Sequence, residues 1–226
     1  MFISVIGPDG SGKSTVISIM ESFFREKKIE FYTRTEFEMF LDPLLNFLKL
    51  KSNSNREIFL SKKWTFFQKF IFSLWPLVVY FDYLVQHIYL EIVNRKKINI
   101  YERGLIDYLV SWRLLNLSSP LIEKLYLFGP HTKFNIILTS EPENLFKRKK
   151  GKEFEYYKKL YLKYNNVFPS IPREKIKLDT DISLYKLKKR IYFEVENFLN
   201  IENKKNEGVD FELLNKKGPS KTRPDT

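Results

Sequence analysis

Short apolar runs alternate with longer stretches of helical period along most of the chain. Phe2 to Ile6, closed by Gly7, has the buried-strand pattern that parallel sheets use. Val16, Ile19, Met20 and Phe23 form one stripe, which predicts a helix from Lys13 to about Lys28, and Ile29 to Thr33 reads as a second strand. From Glu36 to about Arg95 the period is helical and the composition rich in Phe, Leu, Trp and Tyr, with breaks at Pro43, Ser52 to Asn55 and Pro76. Two or three helices are expected there. Its densest part, Phe70 to Phe81, ends at Asp82, short of the roughly 20 residues a bilayer span needs. Gln68, Asp82, His87 and Glu91 would also be costly in lipid, so a buried or interfacial helix is expected.

The third strand is Ile98 to Tyr101, followed by a helix carrying Leu105, Tyr108, Leu109 and Trp112 and another over Pro120 to Phe128. Phe134 to Thr139 is the fourth strand, and Pro142 opens a short helix that runs into a basic stretch. An amphipathic helix is predicted from Glu153 to Val167, a fifth strand from Lys175 to Leu178, and a last helix from Ser183 to about Leu199, capped by the cluster Asp179-Thr180-Asp181. Beyond Ile201 the chain turns polar, and residues 201–226 are expected to form a disordered tail. The alternation predicts an α/β domain over 1–200 with a doubly wound, five-stranded parallel sheet. Ligands bind such a sheet beyond the carboxyl ends of its strands.

Composition narrows the options. The 226 residues, 43% apolar, fit one core more easily than two. The absence of cysteine excludes disulfides, thiolate zinc sites and cysteine nucleophiles, and fits a cytoplasmic location; two histidines argue against a multi-histidine metal site. Met1 to Ile6 has no basic leader ahead of it and is expected to be a core strand rather than a signal peptide. A net charge of +12 implies affinity for polyanions, and nucleotides, nucleic acid or an acidic membrane surface would each satisfy it.

The sharpest chemistry lies at the end of the first strand. Gly7-Pro8-Asp9-Gly10-Ser11-Gly12-Lys13-Ser14-Thr15 satisfies the pattern G-x-x-x-x-G-K-[ST] between a strand and a helix. Glycines at Gly7, Gly10 and Gly12 let backbone N–H groups wrap a phosphate, with Ser11 and Thr15 completing the cradle, and the helix dipole adds favourable potential. Lys13 carries an ammonium for the β- and γ-phosphates of ATP, and the Ser14 hydroxyl can ligate Mg2+. The pattern and its context point to a P-loop NTPase fold. Glu102-Arg103, at the end of the third strand, adds an acid that can hold Mg2+ through water and an arginine facing the acceptor. The basic run from Lys147 to Lys152, with Arg148 at its centre, has the character of a lid that neutralises charge on a transferring phosphoryl group. A nucleic-acid patch or a solvated helix face would read the same way.

The chain resembles the thymidylate kinase branch of the P-loop nucleoside monophosphate kinases, in order from Met1 to about Asn200. The resemblance rests on the phosphate loop, on Thr33-Arg34-Thr35-Glu36 after the second strand, on Glu102-Arg103 and on the basic lid over about 147–153. It implies a sheet order of 2-3-1-4-5, with the aromatic helical insert Phe59 to Val93 between strands 2 and 3. It also implies that Asp9 approaches the acceptor sugar, that Arg34 and Arg103 hold the acceptor phosphate, and that Arg148 is the catalytic arginine. The branch's polar run ending in Ala-Tyr-Gln is absent; Gly104 to Trp112 stands in its place, and thymine recognition loses its support.

The expected function is therefore ATP- and Mg2+-dependent phosphoryl transfer to a nucleoside monophosphate, dTMP being the first acceptor to try, by a protein that could be a homodimer. Two alternatives stay open: a kinase for another small acceptor, such as a nucleoside or sugar metabolite, and a nucleotide-dependent protein that binds nucleic acid or a membrane-associated partner.

Overall fold

The computed structural model describes residues 1–34, 66–130, 132–149, 151–171 and 174–216. The helices expected between Glu36 and Thr65, the start of the aromatic insert at Phe59, Lys150 and the end of the tail from 217 fall outside them. Five strands form one all-parallel sheet: β1 (Phe2–Ile6), β2 (Phe31–Arg34), β3 (Ile98–Tyr101), β4 (Phe134–Thr139) and β5 (Glu174–Asp179), in the order β2-β3-β1-β4-β5. Ile3 pairs with Ile100 on one side and with Phe134 on the other, so the most apolar strands lie at the centre.

Around the sheet stand α1 (Lys13–Glu26), α2 (Phe66–Val93), α3 (Leu105–Leu114), α4 (Pro120–Phe128), α5 (Pro142–Arg148) and α6 (Phe154–Val167). Val16, Ile19, Met20 and Phe23 of α1 are all buried, as their spacing predicted. At its end Lys28 takes a left-handed φ of 55°, and the N–H of Ile29 donates to the Phe24 carbonyl at 2.9 Å. That bond commits Ile29 to the helix terminus, which is why β2 begins at Phe31 rather than at Ile29.

Pro76 does not break the insert; it lies within α2, a continuous helix of 28 residues. An interior proline costs about 3 kcal/mol. Burying Val79 and Tyr83 in the core that Leu105, Leu109, Tyr126 and Leu160 share offsets it, at about 1.5–3 kcal/mol per large side chain. The Tyr126 hydroxyl also donates to the Pro76 carbonyl at 2.6 Å.

Where one domain over 1–200 and a disordered tail were expected, the chain divides into compact units Met1–Ser183 and Leu184–Thr226. Among its described residues the second is one helix, α7 (Leu184–Lys216), which continues past Leu199. Between Ile201 and Lys216 there is no proline, Glu and Lys recur, and the one glycine, Gly208, costs only about 1 kcal/mol; polarity ended the expected helix too early.

Between β1 and β4 the core is polar. The Ser4 hydroxyl donates to Asn135 Oδ1 at 2.8 Å, the Thr132 hydroxyl lies 2.8 Å from Asn135 Oδ1 and 2.9 Å from Ser4 Oγ, and all three side chains are buried. Without Asn135 the two hydroxyls can bond only to each other and one is left without an acceptor, so Asn135→Ala should cost roughly 1–3 kcal/mol in urea denaturation, more than a truncation of that size at the surface.

Candidate active site

β1 delivers the chain to Gly7 beside β4. A Cβ on Gly7 would lie 2.8 Å from Ser11 Oγ and 3.0 Å from the Leu138 carbonyl oxygen, so only glycine lets the loop enter between the strands. The loop tightens through Ser11 N–H donating to Pro8 O at 3.1 Å. It closes at Gly12, whose φ of 87° makes it a left-handed N-cap for α1.

Lys13, the first residue of α1, is only 6% exposed. Its ammonium folds back under the loop and donates to Gly7 O at 2.8 Å and to Pro8 O at 3.1 Å, with Asp9 Oδ1 at 3.5 Å. Burial pulls its pKa below the ordinary lysine value, and the charges of Asp107 and Asp9 oppose that pull. Ser14 is exposed and donates to Glu102 Oε1 at 3.2 Å, across 88 residues of chain. These two oxygens are of the type Mg2+ takes, and so small a set suits an ion that completes its shell with phosphate and water. No cluster of three or more His, Cys, Asp or Glu occurs among the described residues. Thr15 is exposed on α1, and Ser11 Oγ is buried with no hydrogen-bond partner among the described residues.

The end of β3 supplies the opposite wall. Arg103 Nη2 donates to Asp9 Oδ1 at 2.8 Å, and Glu102 N–H donates to the Arg34 carbonyl at 3.0 Å, which brings the end of β2 alongside. Arg34 itself is half-buried, and its charge opposes the upward shift that burial imposes on the Tyr101 and Tyr108 hydroxyls. Burial tends to raise the Asp9 pKa, but Arg103, Lys13 and Lys149 outweigh it and hold the carboxyl below its ordinary value.

The basic stretch lies against the loop. Arg148 ends α5 and is anchored: Nη2 donates to Asp181 Oδ1 at 2.8 Å, and Nη1 reaches Ser140 Oγ at 3.4 Å and Gly10 O at 3.5 Å. The cation turned across the loop is Lys149, whose Nζ lies 3.4 Å from Asp9 Oδ2. Its backbone is fixed at both ends, N–H to Leu145 O at 3.0 Å and carbonyl to the Tyr157 hydroxyl. Asp181, expected to cap the last helix, instead accepts from Ser140 Oγ at 2.7 Å and from the Glu141 N–H at 2.8 Å, at the start of α5. A carboxylate aligned with that N-terminus and with Arg148 gains twice there.

Three residues that the motif reading did not use belong to the site. Lys149 sat unseparated within a run of like charges. Asp107 and Tyr164 lie beneath the loop: Asp107 Oδ1 accepts from Gly7 N–H at 3.1 Å and from the Tyr164 hydroxyl at 2.6 Å, and Oδ2 accepts from Gly104 N–H at 3.0 Å. The signal for Asp107 was a lone acid in an apolar run three residues after Gly104, the spacing of half a capping box. Nothing in the pattern separated Tyr164 from an ordinary core tyrosine. No family model matches the chain, and no curated protein matches its sequence. No helix among the described residues is long and apolar enough to cross a membrane.

Two outcomes follow from this geometry. Gly7→Ala should lower stability by roughly 1–3 kcal/mol in chemical denaturation, because the methyl meets the β4 backbone. The Asp181 carboxyl is held below its ordinary 3.8 because hydrogen bonds from Asn144, Glu141 and Ser140 and the charge of Arg148 outweigh burial. A depressed folded pKa supplies stability that is complete above the ordinary value and lost as pH falls through the lower one. Asp181→Asn should therefore be less stable than wild type at neutral pH, and the gap should close in acid.

Proposed function

We propose that the chain is a P-loop kinase that transfers the γ-phosphoryl group of ATP to a nucleoside monophosphate, with dTMP the first acceptor to try. The observation that carries the reading is the buried Lys13 ammonium, folded under a glycine loop beside the 3.2 Å Ser14–Glu102 pair. Lysine, hydroxyl and carboxylate together fit the β- and γ-phosphates and their Mg2+.

Phosphoryl transfer asks little covalent chemistry of a protein; positioning and neutralisation of spreading charge dominate. Lys13 would exchange its loop carbonyls and Asp9 for phosphate oxygens. Ser14 and Glu102 would hold Mg2+, which when bound screens the phosphate charge. Arg103 and Lys149, now paired with Asp9, are the cations free to turn to the acceptor phosphate and the transferring group, with Arg34 contributing from the end of β2. Arg148 would act as the strut holding Lys149 over Gly10. Asp9, freed of its partners, would meet the acceptor sugar.

A second reading keeps the loop and changes the acceptor to a nucleoside or sugar metabolite. It is favoured by Tyr108 and Trp112, whose rings stack at 6.5 Å in the stretch after Arg103, where an amide reader would be expected for thymine.

Stimulation of ATP turnover by added dTMP is the decisive assay, and a full monophosphate panel without stimulation would overturn the monophosphate reading while nucleotide binding survives. Lys13→Ala should abolish most ATP binding in a fluorescent-nucleotide titration. Arg103→Ala should leave that binding within about twofold and slow transfer by about a hundredfold or more.

A further inference from the structure

Three separate segments end on the two oxygens of Asp107, a side chain only 6% exposed. Gly7 N–H comes from the entry of the phosphate loop, Gly104 N–H from the turn that carries Glu102 and Arg103, and the Tyr164 hydroxyl from α6. Burial pushes the Asp107 carboxyl up, and Lys13, Tyr164 and the two N–H groups counter it; Lys13 and Arg103 also feel its charge. A buried acid costs several kcal/mol unless its lone pairs are met. Here donors from all three segments meet them. The simpler role, starting α3, would need the Gly104 bond alone.

We infer that Asp107 is a positioning residue: held by Tyr164, its carboxylate fixes the register between the phosphate loop and the Glu102–Arg103 turn. Neither residue touches the phosphate positions; they act through Gly7 and Gly104. Because α6 follows the basic stretch, Tyr164 also ties that register to the helix whose Tyr157 clamps Lys149. The inference rests on the phosphoryl-transfer reading only for its consequence on nucleotide affinity.

An asparagine at this position must turn its NH2 group toward Gly104 N–H or toward the Gly7 and Tyr164 donors, so a donor faces a donor. In hydrogen exchange on the free protein, Asp107→Asn should speed exchange at Gly7 and Gly104 by about tenfold. The β4 amides should keep wild-type protection, which a general loss of stability would not spare. Tyr164→Phe, which deletes one hydroxyl, should give the same local pattern at smaller amplitude. In ATP titrations Asp107→Asn should weaken binding about tenfold, and adding Tyr164→Phe should weaken it no further. Unchanged exchange at both glycines, a loss spread evenly into β4, unchanged ATP affinity in Asp107→Asn, or additive losses in the double variant would each overturn the inference. Should Asp107→Asn not fold, exchange at Gly7 in Tyr164→Phe decides alone. Wild-type protein that binds no ATP, with variants that show the local exchange pattern, would sink the kinase reading and uphold this one.

Discussion

Lys13 Nζ is buried beneath a loop of backbone, and an ammonium in that position must be met by oxygen on every side or lose its charge. The Gly7 and Pro8 carbonyls meet it directly, and the carboxylates of Asp9 and Asp107 oppose its desolvation. Much of the rest follows. The loop can bend its carbonyls inward only because Gly7 enters without a side chain against Leu138 and Gly12 leaves in a left-handed conformation. Asp107 can sit below only because Gly104 and Tyr164 satisfy its oxygens. A loop that gathers Lys13, Arg103 and Lys149 concentrates positive potential, and the fold supplies internal anions to balance it.

The two acids divide that work by depth. Asp107 is sealed and bound by fixed donors, so it stays where it is whatever occupies the loop. Asp9 is half-buried at the mouth and shared among Arg103, Lys13 and Lys149, contacts of 2.8 to 3.5 Å made by long side chains. Such pairs at a partly exposed site are individually weak. On the proposed reading an incoming polyphosphate would compete for the same cations with more charge and more oxygens, which would make Asp9 a placeholder and Asp107 a foundation.

Much of the fold was legible because its signals are local. Short, mostly apolar runs ended in glycine or a polar residue after Ile6 and Tyr101, and Pro120 and Pro142 marked helix starts that the structure keeps. What failed was decided by tertiary context. Pro76 reads as a break until the Val79 and Tyr83 burial that offsets it is known, and polarity after Ile201 hides a helix that runs on to Lys216. In the site, residues adjacent in sequence were seen and residues adjacent only in space were not. Ser14 and Glu102 were each assigned from motif position, and they meet at 3.2 Å. Arg148 was chosen from its place at the centre of the run, and the contact that sets it apart from Lys149 depends on Asp181, 33 residues away from Arg148.

That last distinction bears on how a basic stretch can serve phosphate chemistry. A lysine on a free loop pays side-chain and backbone entropy to reach its target, and a run of like charges repels its own collapse. Here Asp181 neutralises Arg148 and aligns α5, Arg148 lies across the Gly10 carbonyl, and Lys149 is left with a fixed backbone and one mobile side chain. The α5 end lies so close that a Cβ on Gly10 would come within 3.5 Å of Lys149 Cβ and 3.6 Å of the Leu145 carbonyl. The entropy of bringing a cation to the loop is thus met largely on folding, with Lys149 Nζ resting 3.4 Å from Asp9 Oδ2. On the proposed reading the phosphate-handling half is preorganised, and the choice among acceptors rests with the stretch that follows Arg103, where the rings of Tyr108 and Trp112 stack.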